Sequence, residues 1–189
     1  NYWPNNNPRS IMLHTTGGGS VLGAVETLKA RGLSYNYIID PLGIVYELVN
    51  YKNCAWHAGV IKSPNLRSRA FYGTLKGDDN PNRNSIGISY VYPTGDKTVL
   101  TDRMVDSTII LMKQIGKKTG IRYNADNIFY HQEVTVDKPI MVKGYRQQVV
   151  EALVGDKDEK DAGEKSYLDL MIQLLQLRIK LLLLQLSQK

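Results

Sequence analysis

The sequence predicts an α/β fold, a mixed central β-sheet flanked by helices, with a Leu-rich helix appended at its C-terminal end. Three observations lead there. Short runs rich in apolar and aromatic residues alternate with segments of helical periodicity, the pattern of layered α/β domains. Asp40-Pro41-Leu42-Gly43 has turn chemistry, with Pro second and Gly last, and joins two strand-like runs as a hairpin. After Val154 the composition changes abruptly, first to a charged stretch and then to one dominated by leucine.

The elements follow in order. Residues 1–9, rich in Asn and Pro, read as an irregular leader. Ser10-Ile11-Met12-Leu13-His14-Thr15 suits a buried strand ending at a histidine, broken by Gly17-Gly18-Gly19. Ser20 is placed to cap a helix running to about Arg31, with Val21, Ala24 and Leu28 on one face. Residues 34–49 form the hairpin. Residues 58–84, with many Gly, Asn, Pro and Arg, read as one long surface loop of the kind that is usually functional or mobile. A strand over Ile86–Tyr92, a helix over Thr101–Gly120, a short strand over Asn127–His131 and a helix over 142–154 complete a domain spanning 1–154. Residues 155–166 are a charged linker, and 167–189 an amphipathic helix.

Composition narrows the function classes. Apolar residues make up 42% of the 189 and charged residues 22%, enough for an ordinary core without disulfides. The single cysteine, Cys54, has no partner for an internal disulfide. In Cys54-x-x-His57 the thiol reads as a buried structural residue rather than a nucleophile. The net charge of +6 favours an anionic surface, but the basic residues are scattered, so no nucleic-acid partner is expected. The chain opens at Asn1 without a methionine, consistent with removal of a preceding segment, and begins with no signal-like apolar stretch.

His14 and His131 each end a predicted strand. A rigid sheet can bring two such residues onto one metal, and zinc takes imidazole nitrogens with a carboxylate or thiolate, leaving a catalytic fourth position to water. Spacing alone equally allows two hydrogen-bonded structural histidines.

Five segments, in order over residues 10–139, resemble the zinc amidase family that includes phage lysozyme-type amidases, bacterial cell-wall amidases and animal peptidoglycan recognition proteins. They are IMLHTT, GLSYNYIIDPLGIVYELV, AWHAG, NRNSIGISYV and IFYHQEVTVDKP. The resemblance implies a zinc-dependent N-acetylmuramoyl-L-alanine amidase that acts on peptidoglycan at the bacterial cell wall, whether phage-encoded and released or exported. It implies His14 and His131 as zinc ligands. Where the family carries its third ligand, an Asp or Cys, this chain has Pro139 and Met141, and the carboxylate nearest those positions is Asp137. Glu133 matches an acidic residue of structural character. Tyr35 and Lys138 match the groups that stabilise the oxyanion or pass a proton to the departing amine; strand packing and a solvated lysine are the plainer alternatives. His57 resembles a substrate-facing histidine, with Trp56 and Asn84 along the same groove; core packing for Trp56 and a strand-entry role for Asn84 and Ser85 are the alternatives. Departure at the third ligand raises a second reading, a peptidoglycan-binding module without catalysis.

The tail lies outside this resemblance. Leu168, Ile172, Leu175, Ile179, Leu182 and Leu186 step by four and three, as do Leu170, Leu174, Leu177, Leu181 and Leu184. At about 100° per residue the two stripes lie on nearly opposite sides of a helix. Two seams suit a homo-oligomeric helical assembly. Contact with a membrane surface, aided by Arg178, Lys180 and Lys189, and docking on the domain are the alternatives. Polar residues recurring through Lys180 argue against a membrane span.

Overall fold

The structure is a computed structural model and describes residues 1–61, 63–75, 80–93, 99–136 and 144–155. Asp137, Lys138, Pro139 and Met141 lie outside the described residues, as do the linker from residue 156 and the helix expected over 167–189.

Strands β1 (Tyr2–Trp3), β2 (Ser10–Gly17), β3 (Tyr37–Ile39), β4 (Val45–Glu47), β5 (Cys54–Ala55), β6 (Ser85–Pro93) and β7 (Ile128–Tyr130) are joined by helices. These are α1 (Val21–Arg31), α2 (Ser68–Leu75), α3 (Asp102–Thr119), α4 (His131–Val134) and α5 (Tyr145–Gly155). The main sheet has the order β4-β3-β6-β2-β7. β2 runs parallel to β6 and β7, β3 is parallel to β6, and β4 alone is antiparallel, so the sheet is mixed as expected.

Local chemistry sets the element ends. The Ser20 hydroxyl accepts from the Gly23 N–H at 3.1 Å, and Thr101 caps α3 by accepting from Met104. In the hairpin turn, the Asp40 carboxylate accepts from the N–H groups of Leu42 and Ile44. Gly43, at φ 81°, occupies the left-handed region, and a Cβ there would meet the Arg103 carbonyl oxygen at 2.7 Å. The turn therefore docks tightly on α3, where Ser107 donates to the Gly43 carbonyl at 2.6 Å.

Two expectations are corrected. Residues 58–84 are not one loop, since α2 lies within them. Phe71 anchors that helix, fully buried against Phe129 at 5.2 Å between ring centroids. Nor is the leader wholly irregular, because Tyr2 and Trp3 pair with Ala55 and Cys54.

Strand alternation divides the sheet into two faces. Ile11, Leu13, Ile39, Ile86, Ile88 and Tyr130 point to the face covered by α3 and α5, with Met104, Met112, Tyr145 and Val149. Met12 and Phe129 point to the other face, against Ala58, Ile61, Phe71 and Val134, while Ile38 and Val91 meet Ala24 and Leu28 of α1. The second face carries the polar residues of interest.

Candidate metal centre

Met12 and His14 share that second face, and so do Phe129 and His131. In the parallel pairing of β2 with β7, Met12 lies opposite Phe129 and Leu13 opposite Tyr130. One step further along the register makes His14 and His131 neighbours. Their ring centroids are 4.8 Å apart, the spacing of adjacent strands, with the rings nearly perpendicular at 79°. Nδ1 of one faces Nδ1 of the other at 3.2 Å. Two imidazole nitrogens bound to one tetrahedral zinc at roughly 2.0–2.1 Å each would stand about 3.3 Å apart. The pair fits that ion. Without metal, the same separation suits an N–H···N hydrogen bond.

His57 joins them, so all three histidines of the chain converge, all buried. Its Nδ1 lies 3.1 Å from His14 Nε2, on the side of the His14 ring away from His131. Its Nε2 lies 3.2 Å from Ser85 Oγ. Burial first, and the neighbouring His131 second, push the His57 imidazole down to about 3, so it is neutral near pH 7. Asn82 Oδ1 fixes its backbone by accepting from the N–H groups of His57 and Ala58 at 2.9 and 2.8 Å. The His57 side chain packs directly on Gly87, where a Cβ would stand only 2.5 Å from His57 Cγ. A glycine inside a strand marks such a close approach. Among the described residues no three His, Cys, Asp or Glu side chains form a set able to hold one ion, so His57 does not complete the ligand set of His14 and His131.

The segment carrying His131 is anchored by charge. Arg67 donates to the Ile128 and Ala125 carbonyls at 2.8 and 2.9 Å, and its guanidinium lies 4.4 Å over the Phe129 ring. Arg146 donates to the same two carbonyls. Both arginines meet Glu133 Oε2, at 3.3 and 3.5 Å, and that oxygen also accepts the Tyr130 N–H at 3.0 Å. Glu133 thus closes the start of α4, immediately beside His131.

The Tyr35 ring sits 4.9 Å from the His14 ring. Burial pushes its phenol up, against smaller opposing effects of the Ser89 hydroxyl and the Arg31 charge. The Tyr35 phenol therefore keeps its proton, which leaves it able to donate. Trp56 packs against Trp3 at 4.9 Å between centroids, with the Arg83 guanidinium 5.6 Å over Trp3. Asn84, at φ 61°, donates its N–H to Asn6 and accepts from the N–H groups of Arg9 and Ser10. It precedes the first residue of β6, whereas His14 pairs with Ser89, five residues and roughly 16 Å further along at about 3.3 Å per residue. The structure thus gathers His14, His57, His131 and Tyr35, and holds Trp56 and Asn84 in contacts with the N-terminal segment. Ser85, Gly87, Asn82 and Arg67 belong to the surroundings of the histidines without having been singled out for that role. The one available signal was the glycine inside Ile86-Gly87-Ile88.

Residues 4–140 match the family model described as N-acetylmuramoyl-L-alanine amidase. Among solved structures, N-acetylmuramoyl-L-alanine amidase LysC from Clostridium intestinale aligns with a TM-score of 0.60 at 18% identity, over 82% of this chain and 90% of that one. The amidase AmiD from E. coli, solved with anhydro-N-acetylmuramic acid-L-Ala-D-γ-Glu-L-Lys, gives 0.52 at 19% identity, over 69% and 50%. Drosophila peptidoglycan recognition protein SD gives 0.50 at 18% identity, over 86% and 87%. At these identities the structural likeness shows the fold. No curated protein matches the chain.

Proposed function

Because the chain belongs to the N-acetylmuramoyl-L-alanine amidase family, we propose that it is a zinc-dependent hydrolase of the amide bond joining N-acetylmuramic acid to L-alanine in peptidoglycan. The observation that carries the zinc assignment is the 3.2 Å approach of the His14 and His131 Nδ1 atoms. Those two nitrogens and the Asp137 carboxylate would hold the ion. Zinc, when bound, supplies Lewis-acid polarisation and lowers the pKa of water.

The protein's own groups divide the remaining work. In the hydrolysis the carbonyl–nitrogen bond breaks, the carbonyl carbon takes the oxygen of water, and the alanine nitrogen takes a proton. Tyr35 Oη, protonated beside His14, donates a hydrogen bond to the carbonyl oxygen as negative charge grows there. Lys138 Nζ supplies positive charge or the proton needed by the departing amine. Wall lysis, of endolysin or autolysin type, is the role this activity supports.

The test is direct. Purified chain should clear a peptidoglycan suspension and release stem peptides with a new N-terminal L-alanine. A chelator should stop it, and zinc restore it. His14→Ala with normal folding and undiminished activity would remove the metal assignment. Pro139 and Met141, standing where the family has its third ligand, favour one second reading, a wall-binding module. Peptidoglycan binding without peptide release would decide for that reading.

A further inference from the structure

The hydrogen-bond chain behind His14 ends on a group that can only accept. Ser85 Oγ lies 2.6 Å from the Pro81 carbonyl oxygen, so the Ser85 hydroxyl proton points there. Ser85 Oγ then faces His57 Nε2, at 3.2 Å, as an acceptor, and His57 carries its proton on Nε2. A neutral imidazole protonated on Nε2 accepts on Nδ1, and that atom lies 3.1 Å from His14 Nε2. His14 must therefore be the donor, protonated on Nε2. Its remaining lone pair is on Nδ1, the atom directed at His131.

We propose that Ser85 and His57 form a tautomer lock: a proton chain anchored on the Pro81 carbonyl that holds the His14 Nδ1 lone pair ready for the metal. Both are positioning residues, acting through His14 rather than on substrate. This inference rests on the zinc reading and deepens it. Gly87 is part of the same device, because only a residue without a Cβ lets the His57 ring lie between His14 and Ser85.

Two measurements on the full chain test it. In zinc-free protein, two-bond proton–nitrogen NMR correlations of the imidazoles should show His14 and His57 both protonated on Nε2. An Nδ1–H tautomer at either would overturn the proposal. Zinc affinity, measured by competition with a chromophoric chelator, should fall roughly 10- to 100-fold in His57→Leu, the usual effect of losing such a partner. His57→Asn, which keeps an acceptor near the Nδ1 position, should recover most of that loss. Wild-type affinity in His57→Leu, or no recovery in His57→Asn, would overturn the proposal. Should His57→Leu fail to fold, Ser85→Ala takes its place, with weakened zinc binding expected and unchanged binding refuting the lock. If the wild-type chain binds no zinc, the metal reading itself fails; if it does bind and the variants match it, only the lock fails.

Discussion

Replacing Gly87 by alanine tests the packing that brings His57 to His14. The added Cβ would stand 2.5 Å from His57 Cγ and 2.9 Å from both its Cβ and Cδ2. Carbon atoms in contact sit about 3.5–4.0 Å apart, so the ring must retreat by roughly 1 Å. It cannot tilt away cheaply, since Asn82 holds its backbone while His14 and Ser85 hold its two nitrogens at 3.1 and 3.2 Å. A retreat of that size breaks both side-chain bonds, at about 0.5–1.5 kcal/mol each. Overpacking adds about 1–3 kcal/mol. The reduced entropy of an unfolded chain with alanine offsets about 0.5–1 kcal/mol. The net loss is about 3 kcal/mol, large against a typical stability of roughly 5–15 kcal/mol. Urea denaturation with chelator present isolates this fold effect from metal binding. Gly19→Ala is the control, because a Cβ there meets nothing within 4 Å. A Gly87→Ala protein as stable as Gly19→Ala would refute the reasoning.

Three further substitutions and one removal probe the rest of the site. Arg67→Lys should cost about 1–3 kcal/mol in urea denaturation, because a single ammonium cannot bridge the Ile128 and Ala125 carbonyls as the guanidinium fork does. Asn36→Ala should lower the melting temperature clearly, by about 3 kcal/mol of stability: it strips partners from the Gly87 N–H and from the Val49 and Asn53 carbonyls, beneath a fully buried side chain. Tyr35→Phe should lower kcat on peptidoglycan at least tenfold while chelator competition shows zinc affinity unchanged; equal loss of both would make it a structural residue instead. Chelation should abolish peptide release yet leave a cooperative thermal transition, since the main core lies on the other face of the sheet.

Much of this architecture was legible because its signals are local. Ser20, Thr101 and the Asp40–Gly43 turn mark element ends by hydrogen bonds made within a few residues. His14 and His131 stood out beside apolar strand runs, although β2 continues to Gly17 and His131 opens α4; period-two alternation along β2 sends Met12 and His14 to one face. Helix α2 was hidden because its buried anchor Phe71 sits amid Gly, Asn and Arg, which mask any apolar period. The β1–β5 pairing involves two residues on each strand, too few for alternation to show. The surroundings of His57 were illegible for a different reason: its partners come from two strands and a loop, and only the tertiary fold reveals that its ring lies on Gly87 between His14 and Ser85.

The two faces of the sheet separate what keeps the protein folded from what it does. Ile11 and Leu13 look toward α3 and α5, while Met12 and His14, their immediate neighbours, look the other way. The parallel register of β2 with β7 ends at Leu13 opposite Tyr130, and the next residue of each chain segment, His14 and His131, follows side by side. The Arg67–Glu133–Arg146 cluster anchors the first turn of α4. What distinguishes an amidase from a wall-binding relative is then narrow. Two nitrogens at the right spacing bind a metal weakly without a third donor, and the chain's nearest candidate carboxylate, Asp137, follows His131 by six positions. The zinc reading therefore puts the weight of catalysis on the Asp137 carboxylate as the third donor beside the two imidazoles.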